Sequence, residues 1–240
     1  MTSPLVRRSP AHAGEVVRAE DITPRMRRVT VRSDAMAGVA IRPAQDVELL
    51  LREPSGRRVK RRYTIRSARP DVGELDLDVL LHGDGAGSTW GRSARPGEAI
   101  EFQGPRGKLD LRSAPWHVLC GDESALPAIA AIAEALPYGE RAVAVIEVRD
   151  ATDELPVRAQ VKWAHRGDLP PGTPDLLLPE AERVDVPFAD TRVYLLGETR
   201  SMVALRASFE GRGVPHDSIF LKGYWNIGRP DRIAGRNPTA

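Results

Sequence analysis

The chain has 240 residues, 41% of them apolar and 28% charged, and its 35 basic against 33 acidic residues leave a formal net charge of +2. That length suffices for two modest domains or one large one, the near balance of charge argues against a polyanion-binding surface for nucleic acid, and no run approaches the roughly 18 apolar residues that span a bilayer. A single cysteine, Cys120, excludes an internal disulfide and a cysteine-ligated zinc or iron–sulfur centre, so any redox chemistry has to come from a bound organic cofactor.

The opening MTSPLVRRSP carries charge with no apolar core behind it, unlike a secretory signal, and a cytoplasmic address is expected. Residues 14–32 read as two short strands about a turn at Thr23 and Pro24, with Val29 and Val31 alternating against Arg28 and Arg32 in a half-buried pattern. Residues 46–52 (DVELLLR) form a third strand, 57–66 (RRVKRRYTIR) a fourth, 74–81 (ELDLDVLL) a fifth, and AIEFQ between Gly97 and Gly104 a sixth. Short strands with regular turn signals predict an antiparallel six-stranded β-barrel over residues 1–112.

The fourth of these strands is the chemically dense one, since five of its first six residues are cationic. Arg61 and Tyr63 stand two apart and share a strand face. The guanidinium offers a planar fork of donors suited to a pyrophosphate, the ring is flat like an isoalloxazine, and Thr64 is placed to bond the flavin edge, so the group suits a flavin dinucleotide. A solvated edge strand, or a patch for another anionic partner, explains the same charges. In HGDGAGSTWGRSARPGE, residues 82–98, the stretch His82, Gly83, Gly85, Gly87, Ser88 and Thr89 is poor in Cβ atoms. Ser88 and Thr89 are expected to cap a short helix beginning near Trp90, whose free amides would give a second grip on the pyrophosphate; the alternative is a tight hairpin that merely needs glycine.

Beyond residue 113 the pattern changes. WHVLC at 116–120 is an apolar strand, GDESALPAIAAIAEALP a loop entering a helix, and 142–148 another apolar strand; the unit returns at 193–196, with a helix over 201–211 and a strand over 218–221. Fully apolar strands alternating with helices predict a parallel sheet in a second domain, residues 113–240. The fold class expected is therefore β plus α/β. Ligands of such sheets bind at the strands' carboxyl ends, here 121–124, 147–150 and 197–199. Neither loop carries G-x-G-x-x-G, although a helix start at Ser124 and Ala125 is able to receive a pyrophosphate. The proline-rich stretch 150–190 reads as mostly loops.

The ordered set Arg61-Arg62-Tyr63-Thr64, VLLHGDGAGSTW, GDESALPAIAAIAEALP and the terminal KGYW of residues 222–225 resembles the siderophore-interacting protein family, FAD-dependent ferric-siderophore reductases of the ferredoxin-NADP reductase superfamily, over nearly the whole chain. The resemblance implies a flavin barrel, a nicotinamide-binding domain, and reduction of siderophore-bound Fe(III) with release of Fe(II). Carried over by position, Arg61, Tyr63 and Thr64 hold FAD, and His82, Gly85, Ser88 and Thr89 wrap its phosphates. Gly121, Asp122, Glu123 and Ser124 face NADPH or NADH, and Lys222 belongs to a basic patch that attracts the anionic ferric siderophore. Two departures stand out: Ala86-Gly87 where the family usually shows proline and alanine, and Asn226 in place of an arginine, for which Arg229 is placed to compensate. They imply a looser phosphate loop and a less basic substrate patch.

Electron transfer of this kind needs no general acid or base and no protein-bound metal, so His82, His165 and His216 are read as structural or phosphate-contacting, and Cys120 as a small core residue. Arg149 and Arg166 are candidates to read a 2'-phosphate. Ferredoxin is an alternative donor, a generic flavin or ferredoxin-type oxidoreductase an alternative enzyme, and a non-catalytic ferric-siderophore-binding module the alternative outside enzymes. A monomer without membrane insertion is expected.

Overall fold

The computed structural model describes residues 10–53, 55–172 and 174–228. Six strands, β1 (His12–Thr23), β2 (Met26–Arg32), β3 (Asp46–Arg52), β4 (Arg58–Arg69), β5 (Glu74–Leu80) and β6 (Ala99–Arg106), close into an antiparallel barrel in the order β1-β2-β5-β4-β3-β6. Alternation does the sorting: β3 sends Val47, Leu49 and Leu51 into the barrel core with Ile65, Leu75, Leu77 and Phe102, and Asp46 and Glu48 to its other face. Glu48 there meets Lys60 at 2.7 Å and Arg106 at 3.2 Å. Burial opposes its charge, but those cations outweigh it and hold the carboxyl below its ordinary range.

Asp76 on β5 fixes the register of three strands. It accepts from Thr30 Oγ1 of β2 (2.7 Å), Ser67 Oγ of β4 (2.6 Å) and both Nη atoms of Arg69 (2.8 Å each). Burial alone would raise its carboxyl; these donors outweigh burial and hold it well below the carboxylate range. One pair along, Arg28 grips Asp78 through two bonds of 2.7 and 2.8 Å.

Helix α1 (Ala86–Ser93) closes against the barrel through Ala86 and Trp90. It starts at Ala86, not near Trp90, with Gly85 as N-cap and no capping side chain. The two apolar residues are one turn apart, and burying both draws the helix start upstream of the serine and threonine expected to cap it.

The second layer is a wholly parallel sheet of β7 (Trp116–Asp122), β8 (Arg141–Val148), β9 (Gln160–His165), β10 (Thr191–Glu198) and β11 (Ile219–Trp225), ordered β11-β10-β7-β8-β9. Leu119, Ala144, Ile146 and Leu196 pack on one face under α2 (Leu126–Ala135). On the other, Val118, Cys120, Val145 and Leu195 pack under α3 (Pro174–Glu182) and α4 (Thr199–Gly211). Cys120 is a core residue whose thiol burial pushes up to about 12. The stretch 150–190 is not mostly loop: it holds β9 and α3. As an edge strand paired only with β8, β9 needs no continuous apolar run, and Pro174 and Pro179 disguise α3 as a turn. Among the described residues no helix is long and apolar enough to cross a membrane.

The Asp76 knot carries a prediction. Because its folded carboxyl is depressed, its contribution is present above the unfolded value near 3.9 and is lost as pH falls through the folded one. Asp76→Asn is expected to lower the unfolding free energy in urea by about 3 kcal/mol at neutral pH, with the deficit shrinking in strong acid; a deficit unchanged on acidification would show that the ionic bonds do not carry it.

Candidate functional site

Barrel and sheet meet along a cleft of about 480 Å3. The barrel wall supplies Arg61, Tyr63 and Thr64 from β4 and His82 from the turn after β5; the sheet supplies Asp122, Glu123 and Ser124 after β7 and Lys222 from β11. Of the remaining candidates, Gly85, Ser88, Thr89 and Gly121 are not part of this lining, and Arg229 lies outside the described residues.

Four contacts tie the walls. Lys222 Nζ donates to Asp46 Oδ2 (2.8 Å) and sits 5.1 Å over the Tyr224 ring. Thr64 Oγ1 and Tyr224 OH are 3.4 Å apart, Arg66 grips Glu134 (2.7 Å), and Arg25 in the β1–β2 turn pairs with Asp153, Asp150 and Glu123. Burial works against the Lys222 ammonium, but Tyr224 and Asp46 outweigh it and its pKa is raised, so it stays charged.

On the barrel side, Gly83 and Gly85 face open space and the α1 start has no capping side chain. The loop leading to it is held from below: Ser88 Oγ accepts from the His82 amide (3.0 Å) and donates to the His82 carbonyl (2.7 Å), and Arg92 reaches the Gly83 carbonyl (2.8 Å). Tyr63 packs against Trp90, ring centroids 6.2 Å apart, and its hydroxyl lies 2.1 Å from where a Cβ on Gly87 would stand. Burial keeps Tyr63 un-ionised and lowers the His82 pKa. A guanidinium, an aromatic ring and a hydroxyl along the cleft, with an uncapped helix start packed beside Tyr63, fit a flavin dinucleotide.

The sheet side is acidic. Asp122 accepts from Ser124 N (2.9 Å), Ser124 Oγ (2.5 Å), Glu198 N (2.8 Å) and Trp225 Nε1 (2.9 Å), and burial pushes its carboxyl up against those bonds. Glu123 holds Arg166 Nη2 at 2.8 Å, while Arg149 is paired with Asp168 at 2.9 Å. Neither arginine is presented as a bare phosphate reader. A Cβ on Gly121 would lie 2.4 Å from the Leu196 carbonyl and 2.9 Å from Ala125 Cβ, so the glycine permits the close packing of β7, β10 and α2. Sequence reasoning missed Asp46, far away in the chain; Glu147 and Glu198 fall within the strand ends 147–150 and 197–199 that it singled out, without a role assigned to either.

Comparison with known proteins agrees with this geometry. A family model described as the siderophore-interacting FAD-binding domain matches residues 52–109, and one described as siderophore-interacting protein matches residues 114–228. Ferric vibriobactin reductase of Vibrio cholerae is 32% identical over 185 residues, 73% of this chain and 68% of that protein. Among solved structures, a siderophore utilization protein from T. fusca aligns with a TM-score of 0.86 at 31% identity, over 94% of this chain and 96% of that one. The siderophore-interacting protein SipS from Aeromonas hydrophila aligns with a TM-score of 0.77 at 25% identity, over 92% and 93%. This chain therefore belongs to the siderophore-interacting protein family and carries that family's FAD-binding domain.

Proposed function

We propose that the protein is an FAD-dependent reductase that draws electrons from NADPH or NADH and delivers them to siderophore-bound Fe(III), releasing Fe(II) in the cytoplasm. The observation that carries this reading is the cleft itself, where a flavin-fitting wall on β4 and α1 faces the carboxyl ends of a parallel sheet with a charged lysine at their meeting point. The name of the Vibrio cholerae relative, ferric vibriobactin reductase, supports the choice of acceptor.

Siderophores surround iron with hard oxygen donors that hold Fe(III) far better than Fe(II), so one electron loosens the chelate. A bound flavin supplies the conversion between the electron pair of a hydride and single electrons. The chain's own part is to bind and to orient. Arg61 and the α1 start hold phosphate, Thr64 and Tyr224 place hydroxyls in the cleft, and His82, its pKa lowered by burial, is neutral there. Among the described residues, Lys60, Arg62 and Arg106 of the barrel and Lys222 of β11 pair with two carboxylates, Asp46 and Glu48. The excess positive charge draws an anionic chelate toward the cleft.

Three measurements test this. In an anaerobic cuvette the flavin bands should bleach on adding NADPH or NADH and return as trapped Fe(II) accumulates after a ferric siderophore is added; bleaching with no ferrous product would remove the siderophore assignment, and no bleaching would remove the donor. Lys222→Ala is expected to raise KM for anionic ferric chelates on the order of tenfold while sparing a neutral dye acceptor, an equal loss on both dissolving the lysine's assigned role. Asp46→Asn, which leaves Lys222 unneutralised, should move KM for the same chelates downward, most clearly at low salt.

A further inference from the structure

In a sheet ordered β11-β10-β7-β8-β9 the order in which strands are added reverses between β7 and β10, and that is where an anionic nucleotide ordinarily meets helix starts. Here those amides are already taken by the protein. Asp122 accepts from the Ser124 amide ahead of α2 and from the Glu198 amide ahead of α4, and Glu198 accepts from Ser201 N (2.9 Å) inside α4. Next to them, at the end of β8, Glu147 is fully buried. Its Oε1 accepts from the Gly172 amide (3.1 Å) and its Oε2 has no partner. Arg166 Nη1, 3.8 Å from Glu147, has no hydrogen-bond partner either, although that side chain is only 9% exposed and lines the cleft.

We propose that Glu147 couples binding of the nicotinamide dinucleotide at this edge to the uptake of one proton. This rests on NADPH or NADH being the donor. The groups around Glu147 are Asp122 and Glu123 from the end of β7, Arg166 from the turn after β9, and Glu198 across Gly172, where an added Cβ would stand 2.9 Å from Glu198 Cγ. Arg25 from the β1–β2 turn reaches Glu123 at 3.8 Å. Arg25 also pairs with Asp150 and Asp153, so carboxyl groups outnumber guanidiniums here, and an arriving pyrophosphate favours shedding negative charge. Glu147 is the group ready to do so: its second oxygen lacks a donor, and burial pushes its carboxyl up to about 7. Once it is neutral, Arg166 keeps a single carboxylate partner, Glu123, and its unbonded Nη1 is available to phosphate. An approaching anion raises the carboxyl further, so the complex binds more protons than the free protein, and affinity falls as pH rises above the free-protein value, by up to about tenfold per pH unit.

The test is calorimetric titration of FAD-loaded protein with NAD+ and NADP+ at one pH near 7.5, in buffers of different ionisation heat. NAD+ is the reference, because its pyrophosphate does not titrate near neutrality. We expect uptake approaching one proton and a Kd several-fold higher at about pH 8.5 than at about pH 7. Glu147→Gln keeps an acceptor for Gly172 and should abolish both effects. His82, which also faces Asp122 and Glu123, and Asp122, whose carboxyl burial likewise pushes up, are the other groups able to take the proton, and a dependence that survives in Glu147→Gln assigns it to one of them and overturns the proposal. Binding without uptake in the wild type overturns it alone, whether or not the variant folds; no binding of either nucleotide to flavin-loaded protein removes the donor reading with it.

Discussion

The cleft depends on one buried carboxylate. Asp122 gathers four donors, from its own turn, from β10 and from the indole of β11, and so fixes three strand ends and the start of α2 relative to one another. A buried charge is tolerable only when its lone pairs are met by donors. That demand shapes the backbone beside it: Gly197 adopts φ 141°, and a Cβ there would stand 2.5 Å from Asp122 Oδ2. Holding Trp225 also holds the strand that carries Lys222 and Tyr224, and through Asp46 and Thr64 these two reach the barrel. The position of the charged lysine follows from that buried knot, while Arg66–Glu134 and the Arg25 cluster tie the walls independently of it.

A polarity across the cleft results. Arg61 and Arg62 of the barrel, with Lys222 of β11 beside them, form the cationic side, whereas the rest of the sheet edge is lined by Asp122 and Glu123 with Glu147 and Glu198 behind them. Opposite walls of opposite sign are a way to sort two anionic partners. Under the proposed function an anionic chelate would be drawn to the cationic side, and a nucleotide on the sheet side would have to meet the carboxylates through uncharged groups or bring a proton with it.

Much of the architecture was legible because it rests on periodicity. Alternation exposed the six barrel strands, and unbroken apolar runs exposed β7, β8 and β10, since those are the patterns that one-sided and two-sided burial impose. What failed had competing physics. The serine and threonine of the glycine loop have strong capping preference, but burying Ala86 with Trp90 decided where α1 begins. Lys222 and Asp46 are separated by 176 positions, and no local pattern announces such a pair.

The two departures from the family pattern take on a physical meaning in this light. Loss of the usual alanine at position 87 does not open a void, because the Tyr63 hydroxyl occupies the space a methyl would need. Nor is the loop left slack without its proline: Ser88, Thr89 and Arg92 bond the carbonyls of His82, Asp84 and Gly83 in turn. Side chains inside the helix thus do for the loop what proline would do by restricting φ. Asn226 lines the cleft uncharged, and the positive field that an arginine there would add is supplied instead by Lys60, Arg62 and Arg106 on the barrel. Shifting that charge from the sheet to the barrel keeps cations away from the carboxylate edge, and it sharpens the division of labour between the two walls.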